Sequence, residues 1–366
     1  MEAYRVNNAH EIPTPALLVY KDHVAHNIRS IGERLGGYER FRPHIKTHKM
    51  SRVAQMQMDA GISKFKCATP REAAMLAAVG ATDILISYHI VGANKERVIA
   101  LQKMYPEVDL KVIADDWGAV VALSEACNAA DTTLGVLIDV NTGMDRTGIA
   151  PGQPTQNLAK TIADSPGLTF EGLHVYDGHS AESNPKKREQ IALESISRAV
   201  DTRQEIETGG LPVNLLVSSG SPGAEHTAKV PEVDEVSAGT WIFWDTGYGD
   251  MMDAPYTPAA LVLSSVISAP GPNLITLDAG SKGVAPDTPA PHFTALDLPE
   301  SVEFVRRNEE HQVLRLPENT PRPNVGDQFY LIPRHVCTTV NLYDEVYVID
   351  SDNTFVETWP VDARGH

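Results

Sequence analysis

Cysteine is scarce in this chain. Cys67, Cys127 and Cys337 are three among 366 residues, odd in number and far apart, so no disulfide framework is implied. Basic residues are outnumbered, 31 Lys and Arg against 48 Asp and Glu, giving a net charge of −17 and a pI of about 5.2. That balance argues against a nucleic-acid surface or an anionic membrane as partner. No apolar run approaches membrane-spanning length, and Met1-Glu2-Ala3-Tyr4-Arg5 carries no apolar h-region. No segment is low in complexity. A cytoplasmic enzyme is the expectation, with 42% hydrophobic and 22% charged residues, ordinary for a globular protein. The length allows two domains, or one large barrel with an appendage.

What is present is a rhythm. From about residue 40 to 240, apolar strand-like runs alternate with amphipathic helical ones. The strands expected are Phe41–Lys46, Lys64–Thr69, Asp83–His89, Leu110–Ala114, Thr133–Asp139, Thr169–Tyr176, Val213–Ser219 and Val236–Thr240. They are continuously apolar rather than alternating, as in a parallel sheet covered by helices. About eight repeats point to a closed (β/α)8 TIM-like barrel. After about residue 250 the runs become short, β-branched and punctuated by Pro, Gly, Asn and Asp, which predicts an antiparallel β domain. The expected division is a barrel over 22–250 and a β domain over 251–366, joined by 1–21 with the strand Ala16–Tyr20.

The chemistry-bearing residues gather at strand ends. Lys46 closes the first expected strand, where an ammonium is costly to desolvate and can serve as a Schiff-base amine; a solvated strand end is the other reading. Two-residue alternation puts His44 on its face. The loops after strands seven and eight of a barrel often hold a phosphate. Here they offer Ser219, Gly220, Ser221 and then Gly239, Thr240, small hydroxyls and glycine N–H groups of the kind an anion needs. Either alone is an ordinary glycine turn. Together with a strand-end lysine they suggest pyridoxal 5'-phosphate.

Arg146 follows the fifth strand, so its guanidinium can reach the barrel mouth beside a cofactor ring; an ion pair with Asp145 or Asp139 is the alternative. Tyr176 ends the sixth strand and can wall the ring or form part of the core rim. His179, just beyond, is a candidate acid or base or a surface histidine. His335 and Cys337, two apart on backbone read as extended, point the same way and suit zinc or a similar divalent ion. Two ligands are too few for a closed structural site, which leaves an open catalytic one. Cys67 and Cys127 read as buried and inert.

The order Arg42-Pro43-His44-Ile45-Lys46-Thr47-His48-Lys49, Thr142-Gly143-Met144-Asp145-Arg146-Thr147-Gly148, the serine/glycine loop and His335-x-Cys337 resembles the D-threonine aldolase and D-serine dehydratase family. These are fold-type III pyridoxal phosphate enzymes related to the alanine racemase barrel, and the resemblance runs from about residue 10 to 360. It implies a homodimer with a divalent metal (Zn2+, or Mn2+ or Mg2+) beside the cofactor. It also implies Lys46 as the Schiff-base lysine, Arg146 and Tyr176 against the cofactor ring, Ser219, Gly220, Ser221, Gly239 and Thr240 at the phosphate, and His335 with Cys337 at the metal.

The subfamily is less plain. A thiolate at Cys337 resembles the zinc-dependent dehydratases, whereas His174-Val175-Tyr176-Asp177-Gly178-His179 looks like the aldolase branch and lines the substrate side. The expected activity is therefore retro-aldol cleavage of D-3-hydroxy-amino acids to glycine and an aldehyde, with D-serine or D-3-hydroxyaspartate dehydration as the alternative. An amino-acid racemase needs a second base and no metal, and a non-catalytic cofactor carrier would stop near the end of the barrel.

Overall fold

The computed structural model describes residues 2–366, for Glu2 and Ser219 the backbone alone. The chain divides into two compact units. One comprises Ile31–Lys46 and Ala54–Gly239; the other is Thr240–Gly365 with Thr47–Val53 and the residues up to Ser30.

The second of these is built on an antiparallel sheet. It begins with β1 (Ala16–Tyr20), every residue of which is buried. In the first unit seven parallel strands follow one another in order: β2 (Lys64–Cys67), β3 (Asp83–His89), β4 (Asp109–Ala114), β5 (Leu134–Val140), β6 (Leu168–Tyr176), β7 (Leu215–Ser219) and β8 (Glu235–Ser237). Helices alternate with them and start where the sequence supplies caps. Thr69 Oγ1 accepts the Glu72 N–H of Pro70–Ala78, Asp116 that of Ala119 in Trp117–Ala129, and Asn184 those of Lys186 and Lys187 in Pro185–Thr208.

The strand expected at Val236–Thr240 is shortened to Glu235–Ser237, and the one expected at Phe41–Lys46 differs most. It is reduced to two isolated parallel bridges, Phe41 to Val236 and His44 to Lys66, and then turns into a 3-10 helix, Ile45–Thr47. Those bridges occupy the eighth position and close the ring between β8 and β2, so the sheet is a near-closed (β/α)8 barrel. The physical reason is Pro43: it has no N–H to give to a ladder, and its carbonyl instead accepts the Lys66 N–H at 2.9 Å.

Alternation along the strands sorts the barrel interior into layers. At the amino-terminal end lies an ion network. The fully buried Arg42 guanidinium donates to Glu235 (2.5 and 3.0 Å) and to Asp83 (2.8 and 3.0 Å), while Lys64 meets Glu235 at 2.8 Å and Lys111 meets Asp83 at 3.0 Å. Above it Leu85, Ile113, Leu137 and Val217 form an apolar waist. Above that the wall turns polar.

The sheet of the other unit continues with β9 (Ala260–Gly271), β10 (Leu274–Leu277), β11 (Phe293–Ala295), β12 (Glu303–Arg307), β13 (Gln312–Arg315), β14 (Gln328–Pro333), β15 (Glu345–Ile349) and β16 (Phe355–Pro360). Strand β1 lies between β9, antiparallel, and β15, parallel. Its core packs Leu18, Tyr20, Leu261, Leu263, Tyr330 and Ile349. Among the described residues, no helix is long and apolar enough to cross a membrane.

Burial alone would raise the Glu235 and Asp83 carboxyls, but the Arg42 hydrogen bonds and charge outweigh it and hold both below the usual range. Depressed folded-state values stabilise the fold above the ordinary carboxylate range near pH 4 and lose that stabilisation as pH falls through them. Glu235→Ala leaves a buried guanidinium half-paired and is expected to cost about 3–5 kcal/mol. Urea denaturation at pH 7 checks the loss, and the gap between variant and wild type narrows as the pH is lowered.

Candidate active site

The polar layer of the barrel surrounds a cavity of about 330 Å3, which Lys46, Arg146 and Tyr176 line together. Lys46 is half-buried on its 3-10 turn. His44 Nδ1 accepts the Lys46 backbone N–H at 3.4 Å and its Nε2 faces Ser87 Oγ at 3.4 Å. Burial, then the Lys46 and Lys66 charges, hold the His44 imidazole well below its usual value, so it is neutral.

Arg146 rides on a loop built to present it. Asn141 Oδ1 accepts the N–H groups of Gly143 and Asp145, and its amide donates to Asp145 Oδ1 at 2.9 Å. Gly148 has φ of +100°, and a Cβ there would meet Asn141 N at 2.6 Å. The guanidinium lies 4.3 Å above the Tyr176 ring, a cation–π pair. Among the described residues it makes no ion pair with Asp145 or Asp139.

Several groups were not singled out from the sequence. Lys66 lines the same cavity, and its amine lies 3.4 Å from His174 Nε2. His174 Nδ1 meets Asp139 Oδ1 at 2.7 Å, and Thr147 donates to Asp139 Oδ2 at 2.8 Å. His89, Asp115 and Asp139 place ligand-type atoms within 4.8 Å of one another. Asp139 is already engaged by His174 and Thr147, and Asp115 Oδ2 accepts the Gly148 N–H. Each of these residues sits on or just after a barrel strand; position at the carboxyl face is the signal that marks them.

His179 stands apart, since it is not among the residues lining this cavity. Its ring lies over Gly143, and its Nδ1 is buried without a hydrogen-bond partner. Burial and the Arg198 charge lower its basicity.

The side chain of Ser219 lies outside the described residues; its backbone ends β7. Gly220, with φ of +138°, donates its N–H to Ser237 O at 3.0 Å, and Ser221 Oγ accepts that of Gly239 at 3.2 Å. The Ser237 hydroxyl is buried with no partner. Asp177 is enclosed by this loop: a Cβ on Gly220 would lie 1.8 Å from its Oδ1, and one on Gly223 1.8 Å from its Oδ2. Burial pushes that carboxyl up to about 7. The two glycines thus make room for an acid as well as offering backbone.

Thr240, His335 and Cys337 belong to the other unit. The extended backbone expected from His335 to Cys337 is replaced by a short helix, Val336–Val340, with His335 at its N-cap; the Asp245 carboxylate accepts the Val336 N–H at 3.0 Å and fixes the turn. Cys337 Sγ lies 3.2 Å from Thr47 Oγ1 and 3.6 Å from Thr240 Oγ1. Asp287 accepts from His335 Nδ1 at 2.5 Å and from Thr338 Oγ1 at 2.9 Å. The Cys337 sulfur first, and then Asp287, raise the His335 imidazole to about 9. Cys67 and Cys127 are buried, and burial raises both thiols, Cys127 to about 11.

These donors fit the two groups the motifs imply. A half-buried amine, a stacked guanidinium and a glycine loop with an orphaned hydroxyl suit pyridoxal phosphate. A thiol and an imidazole whose second nitrogen is fixed by a carboxylate suit a zinc-like ion.

The family described as alanine racemase, N-terminal domain, matches residues 19–246, and the putative serine dehydratase domain matches 259–349. The chain belongs to the alanine racemase N-terminal domain family. Its resemblance to fold-type III pyridoxal phosphate enzymes therefore holds. D-threonine aldolase of an Arthrobacter species is 28% identical over 97% of this chain and 93% of its own length. D-threo-3-hydroxyaspartate dehydratase of a Delftia species is 26% identical over 95% and 97%. The crystal structure of D-threonine aldolase from Filomicrobium marinum superposes with a TM-score of 0.89 at 28% identity, covering 97% of this chain and 96% of that one. With such kin, the chain is a pyridoxal phosphate-dependent lyase of the alanine racemase fold.

Gly223→Ala forces a methyl onto the Asp177 carboxyl and is expected to cost roughly 3 kcal/mol. In an Asp177→Ala background the same change is expected to cost less than about 1 kcal/mol, a coupling that a double-mutant cycle in urea measures.

Proposed function

We propose that this protein cleaves D-3-hydroxy-amino acids to glycine and an aldehyde, in the manner of a D-threonine aldolase. The observation that carries the reading is the single cavity lined by Lys46, Arg146 and Tyr176, together with the paired His335 and Cys337 of the other unit. Lys46 would hold the cofactor through its amine. Arg146 and Tyr176 flank the ring. Ser219, Gly220, Ser221, Gly239 and Thr240 hold the phosphate. His335 and Cys337 hold the divalent metal, zinc first for its match to thiolate, with manganese or magnesium as alternatives.

Bound pyridoxal phosphate supplies an electron sink for the pair released at the substrate α carbon. The metal supplies polarisation of the 3-hydroxyl. His179 takes the hydroxyl proton; its lowered basicity keeps it neutral and able to accept. Asp287 fixes His335 Nδ1, so that Nε2 is the ligating nitrogen.

A second reading, dehydration of D-serine or D-3-hydroxyaspartate to a keto acid and ammonia, is favoured by the thiol at Cys337 and by kinship to the Delftia dehydratase. The proposal extends to a cytoplasmic homodimer acting on a small D-amino acid, without nucleic-acid or membrane partners, which the net charge of −17 supports.

Product analysis with D-threonine separates the readings: glycine with acetaldehyde is expected, whereas 2-oxobutanoate with ammonia selects the dehydratase. Lys46→Ala is expected to abolish the visible absorption of the lysine-bound cofactor without changing the melting temperature. An unchanged spectrum removes Lys46 from its role. Exhaustive chelation is expected to remove activity and a divalent ion to restore it. Asp287→Ala is expected to weaken metal affinity about 10- to 100-fold in a competition titration.

A further inference from the structure

The cavity holds a second amine that the function above leaves idle. Lys66 extends from β2 into the polar layer of the barrel and is only 3% exposed. Its place is fixed by register, through the bridge to His44, two residues before Lys46. A lysine so buried is costly unless it loses its charge or has work to do.

Its hydrogen-bond chain has a direction. Burial would raise the Asp139 carboxyl, but the His174 and Thr147 hydrogen bonds and the His89 charge keep it ionised. An ionised carboxylate accepts, so His174 Nδ1 carries the proton across the 2.7 Å contact. Burial and then the Lys66 charge hold His174 below its usual value, hence neutral, and its Nε2 can only accept. Lys66 therefore donates to Nε2 at 3.4 Å. The surroundings keep the amine basic in form: burial first, then Lys46, Arg42 and Arg146, lower its pKa well below that of a free lysine, against the opposing charge of Asp139. His44, Asp177 and Cys67 also feel its charge, and His89 lines the same cavity. The arrangement is an oriented carboxylate–imidazole–amine series of the kind that activates a reacting group.

We infer that Lys66 is the second acid–base group of the site, exchanging a proton with the substrate α carbon from the end of an Asp139–His174–Lys66 hydrogen-bond chain. This rests on the function proposed above. The amine rests neutral and takes up a proton from solvent at the cavity mouth. In the cleavage direction the Cα–Cβ bond breaks, and the α carbon takes that proton as the N–H bond breaks, which returns the amine to its neutral form. The hydroxyl proton leaves through His179. One proton enters and one leaves, and nothing is oxidised or reduced.

The test uses two readouts. In cofactor-free wild-type protein labelled with 13C-lysine, NMR at pH 7 is expected to show one lysine as a neutral amine, and that resonance is lost in Lys66→Met. If every lysine is charged at pH 7, the inference falls, whether or not the variants fold. In the loaded enzyme, exchange of the glycine α hydrogens in heavy water is expected to drop about 100-fold or more in Lys66→Met and Lys66→Arg, with the visible absorption of the Lys46-bound cofactor retained. Wild-type exchange rates in both variants overturn the role of Lys66 and leave the proposed function standing. Absence of both exchange and that absorption in the wild type overturns the proposed function instead, while the NMR result still stands on its own.

Discussion

Arg42 is the residue on which the barrel depends. The ring has an eighth position but no eighth strand, because Pro43 interrupts the ladder and leaves two isolated bridges. The fully buried guanidinium compensates by gripping Glu235 of β8 with one edge and Asp83 of β3 with the other. Its planar fork meets each of two carboxylates with a pair of hydrogen bonds, a bidentate geometry that a lysine ammonium lacks. The segment four residues later carries Lys46, so that side chain is held in place by an ion pair at the opposite end of the same interior.

That interior works as a graded medium. Charges at the base are paired, the waist of Leu85, Ile113, Leu137 and Val217 separates them from the top, and the upper groups are held away from their ordinary protonation states by burial. In such surroundings a neutral histidine and an uncharged lysine are the states that desolvation favours, and both can accept protons.

Much of this was legible from residue order. Strands Asp83–His89 and Thr169–Tyr176 were read from their apolar residues, and the structure reproduces the first without change and the second to within a residue. Lys46, Arg146 and Tyr176 were read at or after expected strand ends, and they line one cavity. The interior partners carried one signal, position toward the carboxyl end of a strand, and were missed for a definite reason. Lys66, Asp139 and His174 sit inside strands, where a polar residue reads as solvated unless the closure of the sheet is known. Asp287 lies 48 residues from His335, and no periodicity links the two. The helix at Val336–Val340 is too short for a repeat to appear, and its start is set by Asp245, 91 residues earlier. Gly220 was read as serving an anion alone, whereas with Gly223 it also makes room for Asp177.

Strand β1 has a consequence for how the chain comes together during synthesis. It emerges early, yet both of its neighbours, β9 and β15, are made more than two hundred residues later. The turn after Lys46 waits longer still: the Ser51 N–H is held by Asp362, 311 residues further on, and Lys49 O receives the Ala363 N–H. Partners so distant in sequence form slowly and leave strand edges unpaired in the meantime. A ribosome would therefore add 311 further residues before the stretch beside Lys46 could settle.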